Sequence, residues 1–220
     1  RGDGNPASSD GIFVFDPEGA AVSVGDRVEV IGTIAEFNHL TEINQVSSLT
    51  LLGTGTVFPT SVRLPEERNG DLEQFEGMLV QVMSQMTVSQ NFFLGRYGQM
   101  TLSSPDDSGL PGRLIQATHL FPPGPDANRW SDDNQRRILI LDDGQDINPF
   151  GDNPNPVPYM GPSPGKVIRA GDLVDRLIGV LDYGRINSNR SNPDRDYRLH
   201  PTVNPIFTSS NPRPSNPPSI

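Results

Sequence analysis

The feature that most narrows the fold is a set of short apolar runs, each closed by glycine, proline or a Gly-Asp pair. Val22 to Phe37 shows it best. A Gly25-Asp26 turn leads into Val28, Val30 and, past Gly32, Ile34. Alternate side chains of a strand share one face, so these three are expected to point inward. Gly32 inside the run predicts a bulge or sharp bend, which small barrels use to close. Gly and Pro number 22 each, and only 34% of residues are hydrophobic. Such a chain is built from short strands and many turns. At 220 residues it can form one large β domain or two small ones.

The remaining runs obey the same rule. Ile12–Phe15 reads as a short strand before an Asp16-Pro17 turn, and Leu40–Leu52 as a third strand. Residues 53–74 form a connector, with a helical turn or two between Glu66 and Phe75. Strands are predicted at 76–82, 86–88, 98–102 and 114–116, and a short helix around Trp130. Arg137–Gly144 is the strongest strand signal after residue 100, and 145–165 reads as a long loop. A weak internal repeat pairs Ile12–Asp16 and Gly25-Asp26-x-Val28 with Ile138–Asp142 and Gly171-Asp172-x-Val174. Two copies of one small barrel unit would explain it, as would chance recurrence of a turn. We place the first unit at 1–65, the second at 75–203, and a Pro-rich linker at 204–220.

Composition removes several functions. Without cysteine there are no disulfides, thiolate metal sites or Cys nucleophile. No apolar stretch nears the ~20 residues that span a membrane as a helix. His39, His119 and His200 lack the spacing of a zinc site, and neither a nucleophile elbow nor a phosphate loop is present. The net charge of -10 counts against a strong general affinity for nucleic acid. Any such contact must come from local clusters.

Several segments in order carry a family resemblance. They are Gly2–Phe15, Val24–Val28, Gly32–Phe37, Leu40–Ile43, Phe75–Val80, Leu94–Gly98, Arg137–Gly144 and Gly171-Asp172. Together they resemble the N-terminal region of ExeM/NucH-type extracellular endonucleases. The resemblance covers nearly the whole chain to about residue 207. It implies an all-β fold of one or two OB-like Greek-key barrels with long loops and a Pro-rich tail. It also implies a secreted bacterial parent that cuts DNA, and often RNA, with a metal-dependent domain of the endonuclease/exonuclease/phosphatase superfamily. That domain's Mg²⁺ or Ca²⁺ and its catalytic motifs have no counterpart here, so no catalytic residue is carried over and no cofactor is expected in this segment. The family's first barrel begins with strands before Gly2-Asp3-Gly4, so the chain is expected to be trimmed at both ends. Its expected partners are its own nuclease domain and DNA or RNA.

OB folds hold single strands on aromatic platforms and in basic grooves. Phe37, Phe92, Phe93, Tyr97, Trp130 and Tyr183 are the aromatic candidates, most of which are expected to fill the core. Phe92-Phe93, followed by Arg96-Tyr97, is the best set, because adjacent side chains diverge and one of the two phenylalanines should face solvent. Arg185, Arg190, Arg195 and Arg198 are the basic candidates, suited to phosphates. Asp182, Asp194 and Asp196 stand among them, so a neutral, solvated hairpin is the competing and favoured reading. Asp142, Asp143 and Asp146 are weak candidates for a hard metal ion, since turn-forming aspartates look the same. The rival to the nucleic-acid reading is a structural or protein-interaction module.

Overall fold

The computed structural model describes residues 4–5, 7–19, 21–106, 109, 112–145, 157, 159, 167–186 and 194–212. The chain is all-β, and among these residues its strands form two sheets, one of them curled into a half-barrel.

The smaller sheet is a long hairpin with one added strand. β2 (Asp26–Phe37) and β3 (Leu40–Thr54) run antiparallel, and β1 (Phe13–Val14) lies parallel to β3. The hairpin closes through Asn38 and His39 alone. Both have positive φ, 57° and 68°, as a two-residue turn matched to strand twist requires. The expected irregularity at Gly32 is present. Ile31 pairs with Ser48 and Thr33 with Asn44, so Gly32 alone faces residues 45–47. A Cβ there would lie 2.6 Å from Ile43 Cγ2, which is why glycine is needed.

The larger sheet has the order β12-β9-β6-β7-β8-β11-β10-β5-β4. Its strands are β4 (Thr60–Val62), β5 (Leu79–Val82), β6 (Met86–Gln90), β7 (Met100–Ser103), β8 (Ile138–Leu141), β9 (Leu173–Asp175), β10 (Leu177–Arg185), β11 (Arg195–Pro201) and β12 (Ile206–Thr208). Most pairs are antiparallel, while β4–β5 and β8–β11 are parallel. Period-two pairs fill the core: Val80 with Val82, Met86 with Val88, Met100 with Leu102 and Leu139 with Leu141, while Leu177 and Leu181 stand two periods apart with Gly179 between them. Val174 and Leu199 belong to it, as do Val62, Leu72 and Ile168.

Three elements differ from expectation. Residues 114–116 are not a strand. Instead the Ile115 carbonyl accepts hydrogen bonds from Trp130 Nε1 and Asn134 Nδ2, both at 2.8 Å, so this segment docks a helix. That helix, Pro125–Gln135, starts with proline at its first turn, where the missing N–H costs nothing. The connector 53–74 contributes β4, besides the expected short helix at Asp71–Phe75. The start of the expected linker is tied down, because β12 pairs with β9 and the Ser210 and Asn211 N–H groups reach Asp172. Residues 213–220 lie outside the described residues.

The repeat holds for the turn and stops there. At Ser23–Asp26 the aspartate N–H donates to the Ser23 carbonyl, and its carboxylate accepts from the Ser23 N–H at 2.7 Å. Arg169–Asp172 makes the same two bonds, as does Arg68–Asp71. The glycine before each aspartate has φ between 90° and 99°. The strands after the turn differ: Asp26 opens the exposed hairpin, while Asp172 leads into β9, whose Val174 is buried.

Candidate functional site

The Phe92–Tyr97 loop is where the best aromatic set lies. It spans the gap between β6 and β7, which are antiparallel neighbours, so it must turn tightly at the sheet's end. Leu94–Tyr97 forms one helical turn, closed by Gly98 at φ 68°. Buried Leu94 anchors it from below, and Asn91 Nδ2 ties it to the Ile168 carbonyl at 2.9 Å. The rings gather above. Phe92 is 77% exposed and meets Phe93 edge-on at 5.1 Å between centroids. Phe93 stands 5.9 Å from Tyr97, and the Arg96 guanidinium lies 5.4 Å from the centre of the Tyr97 ring. The set therefore combines an exposed ring with a cation held over the neighbouring Tyr97 ring.

The arginines part ways. Arg185 is exposed at the end of β10, and its carbonyl accepts from Gln99 Nε2 at 2.9 Å. Phe93, Gln99 and Ile186 line one small hollow, so the residue after Arg185, and not Arg185 itself, meets the aromatic loop. Arg195 lines a cleft elsewhere. Arg198 is already occupied. It gives Nε and Nη2 to Asp182 at 3.0 and 2.6 Å and Nη1 to Asp142 at 3.1 Å. His200 Nε2 adds a 3.0 Å contact to Asp182. Burial works against the charge on Asp182, but the bonds from His200 and Arg198 prevail and hold its carboxyl below the usual range. Arg190 and Asp146 lie outside the described residues.

The aspartates beside this network accept hydrogen bonds from within the chain. Asp142 accepts from Gln99, Arg198 and the Gly144 N–H. Burial pushes the Asp143 carboxyl up, against a bond from the Gln145 N–H. Among the described residues, no three acidic or histidine side chains are arranged to hold a metal ion.

Sequence reasoning misses an acidic cleft of about 570 Å³. It opens between the β2–β3 turn and the ends of β10 and β11. Glu36, Glu66, Glu73 and Asp196 line it, with Tyr183, Tyr197, His39 and Arg195. Tyr197 donates to Glu73 Oε2 at 2.7 Å, and Tyr183 packs edge-on against Tyr197 at 5.2 Å. The Leu72 N–H donates to Glu66 Oε1 at 2.8 Å, yet burial raises the Glu66 carboxyl above the ordinary range. A second hollow of about 360 Å³ adjoins, sharing Glu73 and lined also by Glu76. Burial, then the charge of Glu73, pushes the Glu76 carboxyl up to about 7. These acids are scattered from residue 36 to residue 196, so only the topology assembles them. The one local signal is Phe75-Glu76-Gly77, an acid set between apolar and small residues.

No family model, curated protein or solved structure matches the chain.

Proposed function

We propose that this chain is the non-catalytic, OB-like accessory region of a secreted bacterial nuclease, and that its Phe92–Tyr97 loop holds a single-stranded stretch of the DNA or RNA substrate. The observation that carries the reading is the exposed Phe92 ring, backed by Phe93 and Tyr97 with Arg96 alongside. Every base has a π-face, so an outward ring next to a cation accepts a strand without reading its sequence. The order of motifs resembling extracellular endonucleases supplies the nuclease context. A divalent ion belongs, in this reading, to the attached catalytic domain.

The test is fluorescence anisotropy of a labelled oligothymidylate, titrated with the protein at low salt. Binding should weaken as salt rises, since each phosphate contact releases counterions. Phe92→Ala should weaken it further, by about 1–3 kcal/mol if one base stacks there. Affinity unchanged in Phe92→Ala would refute the platform. No binding at low salt would favour a structural or protein-interaction module instead.

A further inference from the structure

The three-stranded sheet carries a groove of about 580 Å³ that neither the core nor the aromatic loop uses. Its floor is β3, the central strand, where Glu42 and Asn44 stand at alternate positions and so on one face. Its walls come from the flanking chains. Phe37 ends β2 on one side. Phe15 follows β1 on the other, held there by its N–H on the Ile43 carbonyl at 2.8 Å. Phe15 is 49% exposed and Phe37 61%, yet Glu42 is 5% exposed. A carboxylate is almost never so deeply buried without a charged partner. Among the described residues Glu42 makes no ion pair. Its Oε1 accepts from Asn44 Nδ2 at 3.1 Å, and its Oε2 has no donor. Unlike the Glu76 Oε2, that oxygen is not sealed from solvent. A buried acceptor left without a donor is a standing cost that a donating ligand removes.

We propose that this groove receives an arginine side chain of a polypeptide partner, with its guanidinium on Glu42 and its methylene stem between Phe15 and Phe37. The charge follows from the lining: Asp16, Glu18 and Glu42 contribute to it, and among the described residues no basic side chain does. The planar head follows from the acceptors. Asn44 has given its Nδ2 to Glu42, so its Oδ1 stands with the Glu42 Oε2 as a second acceptor on the same face. A guanidinium fork meets two such acceptors at once, where an ammonium is a point charge. The phenylalanine rings suit an apolar stem, and an aromatic face attracts a cation. Both rings stay open to solvent, so the backbone that carries the arginine can lie outside. The volume is in the range of pockets that enclose one small ligand. These acids repel phosphates, so Phe37 serves as a wall here and not as a platform for bases, and the site is separate from the Phe92–Tyr97 loop.

The test is a titration of the 220-residue chain with N-acetyl-arginine amide at low salt, followed through backbone amide signals in nuclear magnetic resonance. The signals of Phe15, Phe37, Glu42 and Asn44 should move together and saturate. N-acetyl-citrulline amide has the same shape without the charge and should not bind, and N-acetyl-lysine amide should bind more weakly than the arginine. Glu42→Gln should weaken arginine binding at least about tenfold, the scale of a lost hydrogen bond to a charged group. Phe37→Ala alters an exposed side chain, should weaken binding about two- to fivefold, and keeps the test open if the buried variant fails to fold. Glu29→Gln removes a charge from the same strand outside the groove and should leave binding unchanged. The proposal is overturned if the arginine moves no signals around the groove, if citrulline or lysine binds as tightly, or if Glu29→Gln costs as much as Glu42→Gln.

Discussion

The two sheets use one sequence grammar and reach opposite ends. Val174 comes two residues after Gly171-Asp172 and is 0% exposed. Val28 stands at the same spacing from Gly25-Asp26, after the same turn, and is 37% exposed. Farther along β2, Ile34 is 71% exposed. The period of two reports that a segment is a strand; it does not report a second layer against which the strand can pack. In the nine-stranded sheet, curvature brings strands distant in sequence to face each other, and alternate side chains find partners. The hairpin sheet meets the rest of the molecule along a seam. There Gly11 and Gly77 bring their backbones together, the Ser9 hydroxyl donates to the Glu76 carbonyl, and the Thr41 N–H reaches Glu76 Oε1.

The sharpest break in this comparison is to empty one core position of the large sheet. Leu139→Ala removes a fully buried side chain from β8, a strand with neighbours on both sides. It should lower stability by about 2–5 kcal/mol, read from chemical unfolding. A loss under roughly 1 kcal/mol would mean that the large sheet is no better packed than the hairpin.

A smaller effect lies at the seam. The folded pKa of Glu76 is about 7, above the 4.5 of a freely solvated glutamate. Between those values the folded chain keeps a proton that the unfolded chain gives up. This contribution to stability is therefore whole in acid, falls as pH rises from 4.5 to 7, and levels off above. Glu76→Gln cannot ionise and should escape the fall. Its melting temperature relative to wild type should rise from about pH 4 to about pH 8, by about 2–4 °C if the effect is near 1 kcal/mol. A difference that stays constant with pH would show that the seam does not bury this carboxyl.

Particular residues show what can be read in the sequence. The strands and their turns are legible because their causes are local. Gly32 marks the irregularity, Gly25-Asp26 and Gly171-Asp172 make their turns with bonds spanning four residues, and Phe92–Tyr97 is a contiguous set. The acidic cleft is not legible, since Glu36, Glu73 and Asp196 meet only through the packing of elements distant in sequence. The roles of the arginines are hidden for the same reason. Arg185 and Arg198 look alike in sequence, but Arg198 sits on β11 directly across from Asp182, while Arg185 ends its strand. Alternation alone places Val28 and Ile34 inside, but the step from alternation to burial needs the tertiary fold.

The smallest predicted effect bears on that last point. Ile34→Thr keeps the β-branch, and so the strand preference, while removing apolar surface. At a core position the change would bury a hydroxyl and lose packing, costing about 1 kcal/mol or more. At Ile34 the side chain already faces water, and its neighbour across the hairpin, Ile43, can keep its own packing. The substitution should therefore change stability by less than about 0.5 kcal/mol, with the hairpin retained in the far-ultraviolet circular dichroism. A loss of about 2 kcal/mol or more would mean that something covers this face in solution, and the contrast between the two sheets would then be one of partners and not of packing.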